Sequence, residues 1–168
     1  MITTLRILIL VLLMASGFSQ PVFADSLAST LKKAEQGDAS ANYQLGLTYS
    51  KGSGVRQDYR QAVAFFAKAA ENGHADAQYE LACLYYTGMG VERDAQKARS
   101  LYVQAAEHGN VEAQYFLARK YDQGRGVKKS HKRAVFWYKK AADQGHANAA
   151  EHLRKLCEAR PALCGDGG

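Results

Sequence analysis

Apolar positions return along this chain in two alternating helical stripes. Ala41, Leu45 and Tyr49 stand four residues apart and share one face of a helix; beyond a glycine-containing turn, Ala62, Phe65, Phe66 and Ala69 mark a second amphipathic helix. Both stripes recur at a spacing of 36 residues, first as Ala77, Leu81 and Tyr85 with Ala98, Leu101, Tyr102 and Ala105. They recur again as Ala113, Leu117 and Tyr121 with Ala134, Trp137, Tyr138 and Ala141. A fixed period of this length, without strand-like alternation, predicts an all-α solenoid of helix-turn-helix units, each burying its apolar stripes against its neighbours.

The breaks between helices follow the same period. Gly37, Gly73, Gly109 and Gly145 close the second helices, and Asp38 and Asn110 are suited to N-cap the helices that follow. "KGSGV", "TGMGV" and "QGRGV" fall between the two helices of successive units. A glycine loop that cradles phosphate occurs once, after a strand and before a helix, so these recurring sequences are read as turns. At the ends, "SLASTLKKAEQG" predicts a helix over Ser26 to Gln36, the second half of an incomplete unit, and "HANAAEHLRKLC" predicts the first half of another. Seven helices are expected, in three full repeats with a half-repeat at each end.

The units "ANYQLGLTYSKGSGV" with "AVAFFAKAAENG", "AQYELACLYYTGMGV" with "ARSLYVQAAEHG", and "AQYFLARKYDQGRGV" with "AVFWYKKAADQG" resemble the Sel-1-like repeat family, relatives of the tetratricopeptide repeats. The resemblance covers residues 26–157; the fourth copy departs from it, with Glu151 and Cys157 at tyrosine positions. It implies a right-handed α-solenoid that binds other proteins or peptides as a non-enzymatic scaffold, and it leaves the partner unspecified.

The first 24 residues fall outside this pattern. Arg6, the apolar run from Ile7 to Met14 and the small residue Ala24 have the layout of a secretory signal peptide cleaved before Asp25. The apolar run is shorter than the ~20 residues a membrane span needs, so no stable span is expected after cleavage. The organisation read from the sequence is therefore a signal peptide over 1–24, a repeat domain over 25–158 and a tail over 159–168, with the product periplasmic or secreted. The net charge of +6 falls to +5 on cleavage, a bias too small to imply nucleic acid.

In an oxidising compartment a disulfide between Cys157 and Cys164 is expected across the bend at Pro161. Cys83 and Cys157 stand two units apart, too far to pair at roughly 10 Å per packed helix against a ~7 Å limit. Cys83 is left over, as a small core residue or an intermolecular thiol.

The five histidines lack ligand spacing, and no metal or cofactor is expected. "STLK" at Ser29–Lys32 matches the S-x-x-K of serine β-lactam enzymes, a chemistry linked to cysteine-rich relatives of the family, yet its Ser-Asp-Asn and Lys-Thr-Gly partners are absent. No catalytic residue is assigned.

In a stack of helix pairs the first helices line the concave side. The positions turned away from the Ala/Leu/Tyr stripe predict a groove for a protein or peptide, with Gln44, Leu47 and Lys51, then Glu80, Leu84 and Thr87, then Phe116, Arg119, Lys120 and Gln123. Leu47, Leu84 and Phe116 carry this reading, being apolar where a solvated face calls for polar residues.

Charge is unevenly spread. Residues 110–145 hold nine Lys/Arg against three Asp/Glu, while residues 74–109 hold three against five. Arg125, Lys128, Lys129, Lys132 and Arg133 form the densest cluster, a candidate contact for an anionic envelope component such as a glycan or lipid headgroup, or for an acidic protein patch.

Overall fold

The computed structural model describes residues 21–165, so the signal peptide expected over residues 1–24 lies outside the described residues except for its last four, which belong to the first helix. Among the described residues there are helices and turns only. In chain order they are α1 (Pro21–Glu35), α2 (Ala39–Lys51), α3 (Tyr59–Glu71), α4 (Ala75–Thr87), α5 (Ala95–Glu107), α6 (Val111–Gln123), α7 (His131–Asp143) and α8 (Ala147–Ala159), then a 3-10 turn at Pro161–Leu163. The eight α-helices correct the expected seven, because three full units supply two each and both ends supply one. α1 also starts earlier than Ser26, at Pro21, whose fixed φ suits the first turn of a helix.

Each helix boundary has a local cause. Asp38 and Asn110 accept hydrogen bonds from the backbone N–H of Ala41 and Ala113, as their residue types predict. His74 and His146 do the same through Nδ1, toward Ala77 and Ala149, so an imidazole serves where a carboxylate or amide serves in the alternate units. The second helices start at Asp58, Asp94 and Ser130, a second periodic set of N-caps. Gly52, Gly88 and Gly124 close the first helices at φ of 70°, 79° and 72°, a region costly for any residue with a Cβ, and each donates its N–H back to the last turn.

Consecutive helices pack against one another along the whole chain, most extensively within a unit. The first helices α2 and α4 also touch directly, in keeping with the expectation that first helices line the inner side of the stack. The seams bury Ala62, Phe66, Ala69, Ala98 and Tyr102 with Leu81, and Ala134 and Tyr138 with Ala118 and Leu156, while Leu45 and Leu117 are buried among alanines of neighbouring helices.

A buried polar contact recurs at the first three junctions between units, while Ala150 stands at the equivalent place in the last one. Asn42, Gln78 and Gln114 sit one residue past the repeated alanine and donate their side-chain amide N–H to the carbonyls of Ala34, Ala70 and Ala106, near the end of the preceding second helix. Those carbonyls belong to the last turn, where intrahelical donors run out. The Gln78 oxygen meets His108 Nδ1 at 2.8 Å, and that of Gln114 accepts from Gln144 Nε2 at 2.8 Å. In the first unit the shorter Asn72 bonds its own helix at Lys68 instead, and Asn42 Oδ1 stays buried without a partner.

At the carboxyl end the 3-10 turn folds back onto α7 and α8, and a disulfide joins Cys157 to Cys164 with the Cα atoms 5.6 Å apart. The tail therefore covers part of the space that a further second helix would fill. Cys83 is a free thiol.

Candidate functional site

The inner face carries the side chains that vary while the seam repeats. On α2, Gln44 and Lys51 are exposed and Leu47 is half-buried against the main core cluster. On α4, Glu80 is half-buried, and Thr87 is exposed with its hydroxyl donated to the Cys83 carbonyl at 2.8 Å. On α6, Phe116 and Lys120 are half-buried while Arg119 and Gln123 are exposed.

Leu84 is a correction to the groove read from the sequence. It is only 5% exposed and belongs to the core cluster with Leu81, Tyr102 and the partly buried Leu47 and Phe116. An apolar side chain at this position collapses into the seam, whereas the polar Thr48 and Lys120 at the equivalent positions stay half-exposed. Of the apolar residues read as groove, Leu47 and Phe116 remain within reach of a ligand.

Phe116 does not stand alone. Its ring stacks on Tyr102 from α5 at 4.3 Å, Tyr79 meets Tyr102 at 5.7 Å, and Lys120 Nζ lies 5.0 Å from the Phe116 ring centre. One turn away, Arg119 lies 5.8 Å from the Tyr115 ring, which stacks on the capping His146 at 4.2 Å. The wall is therefore aromatic across two units, with cations laid over the rings. Tyr79, Tyr102 and Tyr115 are not among the groove residues read from the sequence, where Tyr102 belongs to the second-helix stripe; being half-buried, Tyr79 and Tyr115 serve both core and surface.

The electrostatics of this wall follow from its burial. Desolvation pushes the Tyr79 hydroxyl up to about 12, and raises that of Tyr102 further, with its contact to Cys83 Sγ at 3.3 Å adding to the effect. Burial also raises the Cys83 thiol, with its contacts to the Tyr102 and Tyr79 hydroxyls opposing. The Glu80 carboxyl is lifted above its ordinary range, first by burial and then by Asp76, with Lys51 opposing. Among the described residues Glu80 enters no salt bridge.

Ser29 and Lys32 are both exposed on α1, and no group of His, Cys, Asp and Glu side chains suited to a metal occurs among the described residues. No helix among the described residues is long and apolar enough to cross a membrane.

The basic cluster also resolves residue by residue. Arg125, Lys128, Lys129, Lys132 and Arg133 are all exposed, but Arg133 is drawn toward α6, with its guanidinium 5.4 Å from the Tyr121 ring and 3.4 Å from the Tyr121 hydroxyl.

Comparison with known proteins follows the same architecture. The family model described as Sel1 repeat matches residues 39–74, 75–110 and 111–146. A crystal structure of a Sel1 repeat protein from Oxalobacter formigenes is 34% identical with a TM-score of 0.73, over 84% of this chain and 58% of that one. The protective antigen c5321 of uropathogenic Escherichia coli, described as displaying an SLR fold, is 40% identical with a TM-score of 0.67, over 74% of this chain and 27% of that one. This chain thus spans less than two thirds of either. Helicobacter pylori cysteine rich protein B shares the fold at 23% identity and a TM-score of 0.61, over 82% of this chain and 98% of its own. No curated protein matches the chain.

Proposed function

Because this chain belongs to the Sel1 repeat family, we propose that it is a non-enzymatic scaffold that holds a protein or peptide segment along the inner face of its first helices. The observation that carries the proposal is Glu80, a half-buried carboxylate without a salt bridge among the described residues, set beside the Tyr79–Tyr102–Phe116 wall. A carboxylate that has lost part of its hydration and has no full counter-charge calls for a donor from outside. A ligand with an apolar or aromatic side chain for Leu47 and Phe116, and a cation or N–H donor for Glu80, meets both requirements. We place the protein outside the cytoplasm, a reading supported by the signal-like residues 1–24 and by the Cys157–Cys164 disulfide, which suits an oxidising compartment.

The test is site-specific photo-cross-linking in the native host. A photoreactive residue in place of Gln44, Thr87 or Gln123 on the inner face should give a discrete adduct, which Phe116→Ala together with Glu80→Gln should weaken. The same probe at Ser100 on the second helices should give none. Adducts formed equally from both faces would reject the inner-face assignment.

A further inference from the structure

The second helices lie across the seam from the first helices, and one of them differs from its counterparts. On α7, Phe136 is 50% exposed, the most open of the large apolar side chains among the described residues. The equivalent residues are Ala64 on α3 and Ser100 on α5, so the repeat needs no ring at this place for packing. Around it the spacing brings cations. Lys132 lies four residues before, Lys139 three after and Lys140 four after, which makes all of them neighbours of Phe136 on the helix surface. Lys140 Nζ stands 5.0 Å from the Phe136 ring centre and 5.6 Å from that of Trp137, which meets Phe136 edge-on at 4.9 Å. Lys128 and Lys129 are exposed in the turn just before the helix, and the sole acid on α7 is Asp143, in its last turn. The corresponding stripes elsewhere read Arg60, Ala64, Ala67 and Lys68 on α3, and Gln96, Ser100, Val103 and Gln104 on α5.

We propose that this outer face of α7 docks on an anionic phospholipid bilayer, with Phe136 entering the headgroup boundary while Lys132, Lys139 and Lys140 meet lipid phosphates and Lys128 and Lys129 extend the contact. The surface lies on the second-helix side of the stack, where a flat, broad partner can reach it and an extended peptide finds no groove. An anionic bilayer presents phosphate charge for the lysines and an apolar boundary for the exposed ring side by side. Arg133, turned toward Tyr121, plays no part. This surface is separate from the inner face, so either assignment can fail without the other.

Trp137 is the only tryptophan; it is half-buried against the core and meets the Phe136 ring, so its fluorescence reports from α7 next to the proposed contact. The full chain is titrated with phosphatidylcholine vesicles with and without phosphatidylglycerol, the lipids carrying brominated acyl chains. The expected result is quenching of Trp137 by the anionic vesicles only. Lys132→Gln with Lys139→Gln and Lys140→Gln should weaken the response about a hundredfold, from the loss of three lysine–headgroup attractions. Phe136→Ser, which installs the residue type of α5, should weaken it about tenfold. A control of equal charge loss, Lys32→Gln with Lys33→Gln and Lys68→Gln, should retain it within a few-fold. All the substituted side chains are exposed, and unchanged thermal melting verifies folding. Equal loss in the control, absence of quenching, or indifference to Phe136→Ser would each overturn the proposal. Binding of soluble polyglutamate without binding of vesicles would overturn it in favour of an acidic protein partner.

Discussion

Replacing Gln114 tests whether the junctions are held by hydrogen bonds or by packing alone. Gln114 is 3% exposed; it donates to the Ala106 carbonyl at 3.0 Å and accepts from Gln144, which also donates to the Gly109 carbonyl at 3.2 Å. One amide thus ties the end of α5 to α6 and to the residue that caps α7. Gln114→Ala removes two bonds, each worth about 1 kcal/mol net, and opens a small void, for a loss of about 2–3 kcal/mol. The Ala106 carbonyl keeps the Gly109 N–H at 3.2 Å, so the loss stays below that of a fully orphaned group. For a chain of this size the loss lowers the melting temperature by roughly 10 °C. Gln114→Met keeps most of the volume and removes the same bonds, and should cost about 2 kcal/mol. Urea denaturation followed by circular dichroism gives both values, and hydrogen exchange should show the opening concentrated at the α5–α6 junction. If the Met variant lies within about 0.5 kcal/mol of the parent, the amide bonds are not what holds the junction.

The remaining expectations concern other units. Asn42→Gln with Asn72→Gln transplants the Gln114–Gln144 arrangement into the first unit and should stabilise by about 1 kcal/mol, since it satisfies the orphaned oxygen of position 42; equal or lower stability in denaturant would contradict this. Gly46→Ala would place a Cβ 2.4 Å from the Phe66 ring, which is 1% exposed and has no room to swing away. Overpacking should outweigh the helix-propensity gain of about 1 kcal/mol and leave a net destabilisation measurable in urea. Glu80→Gln should stabilise at neutral pH and lose its advantage in acid. Because the folded-state pKa is raised above the ordinary 4.5, the parent's relative stability is full below that value and declines as pH rises through the folded pKa; a benefit that grows on acidification would reverse the assignment. Reducing Cys157–Cys164 should release about 2 kcal/mol of constraint and speed exchange in α8 while leaving α2–α5 unchanged; a uniform effect along the stack would refute its role as a local clamp.

The architecture was legible because its determinants are local or strictly periodic. A stripe of Ala41, Leu45 and Tyr49 declares a helix face within its own segment, a glycine declares where that helix stops, and the 36-residue return declares the stacking partner. Even the caps at His74 and His146 occupy the places marked by Asp38 and Asn110, although an imidazole there gives a weak signal before its Nδ1 is seen accepting. The site was legible only in part. Gln44, Lys51, Thr87, Arg119 and Gln123 lie exposed on the helices that the repeat placed inward, but Leu84 passed for a surface residue and Tyr79 was not read as part of the groove.

The sequence by itself determined the helix-turn-helix unit, its copy number and its breaks, since each depends on backbone preferences and apolar spacing within a few turns. Only the tertiary structure decided which varying side chains stay in water, which buried amides find partners thirty residues on, and that Phe116 leans on Tyr102 while Phe136 stands half-open beside a tryptophan edge and a lysine. Those outcomes depend on the neighbouring units as much as on the residue itself, because burial is a property of the space between helices and no single segment contains that space.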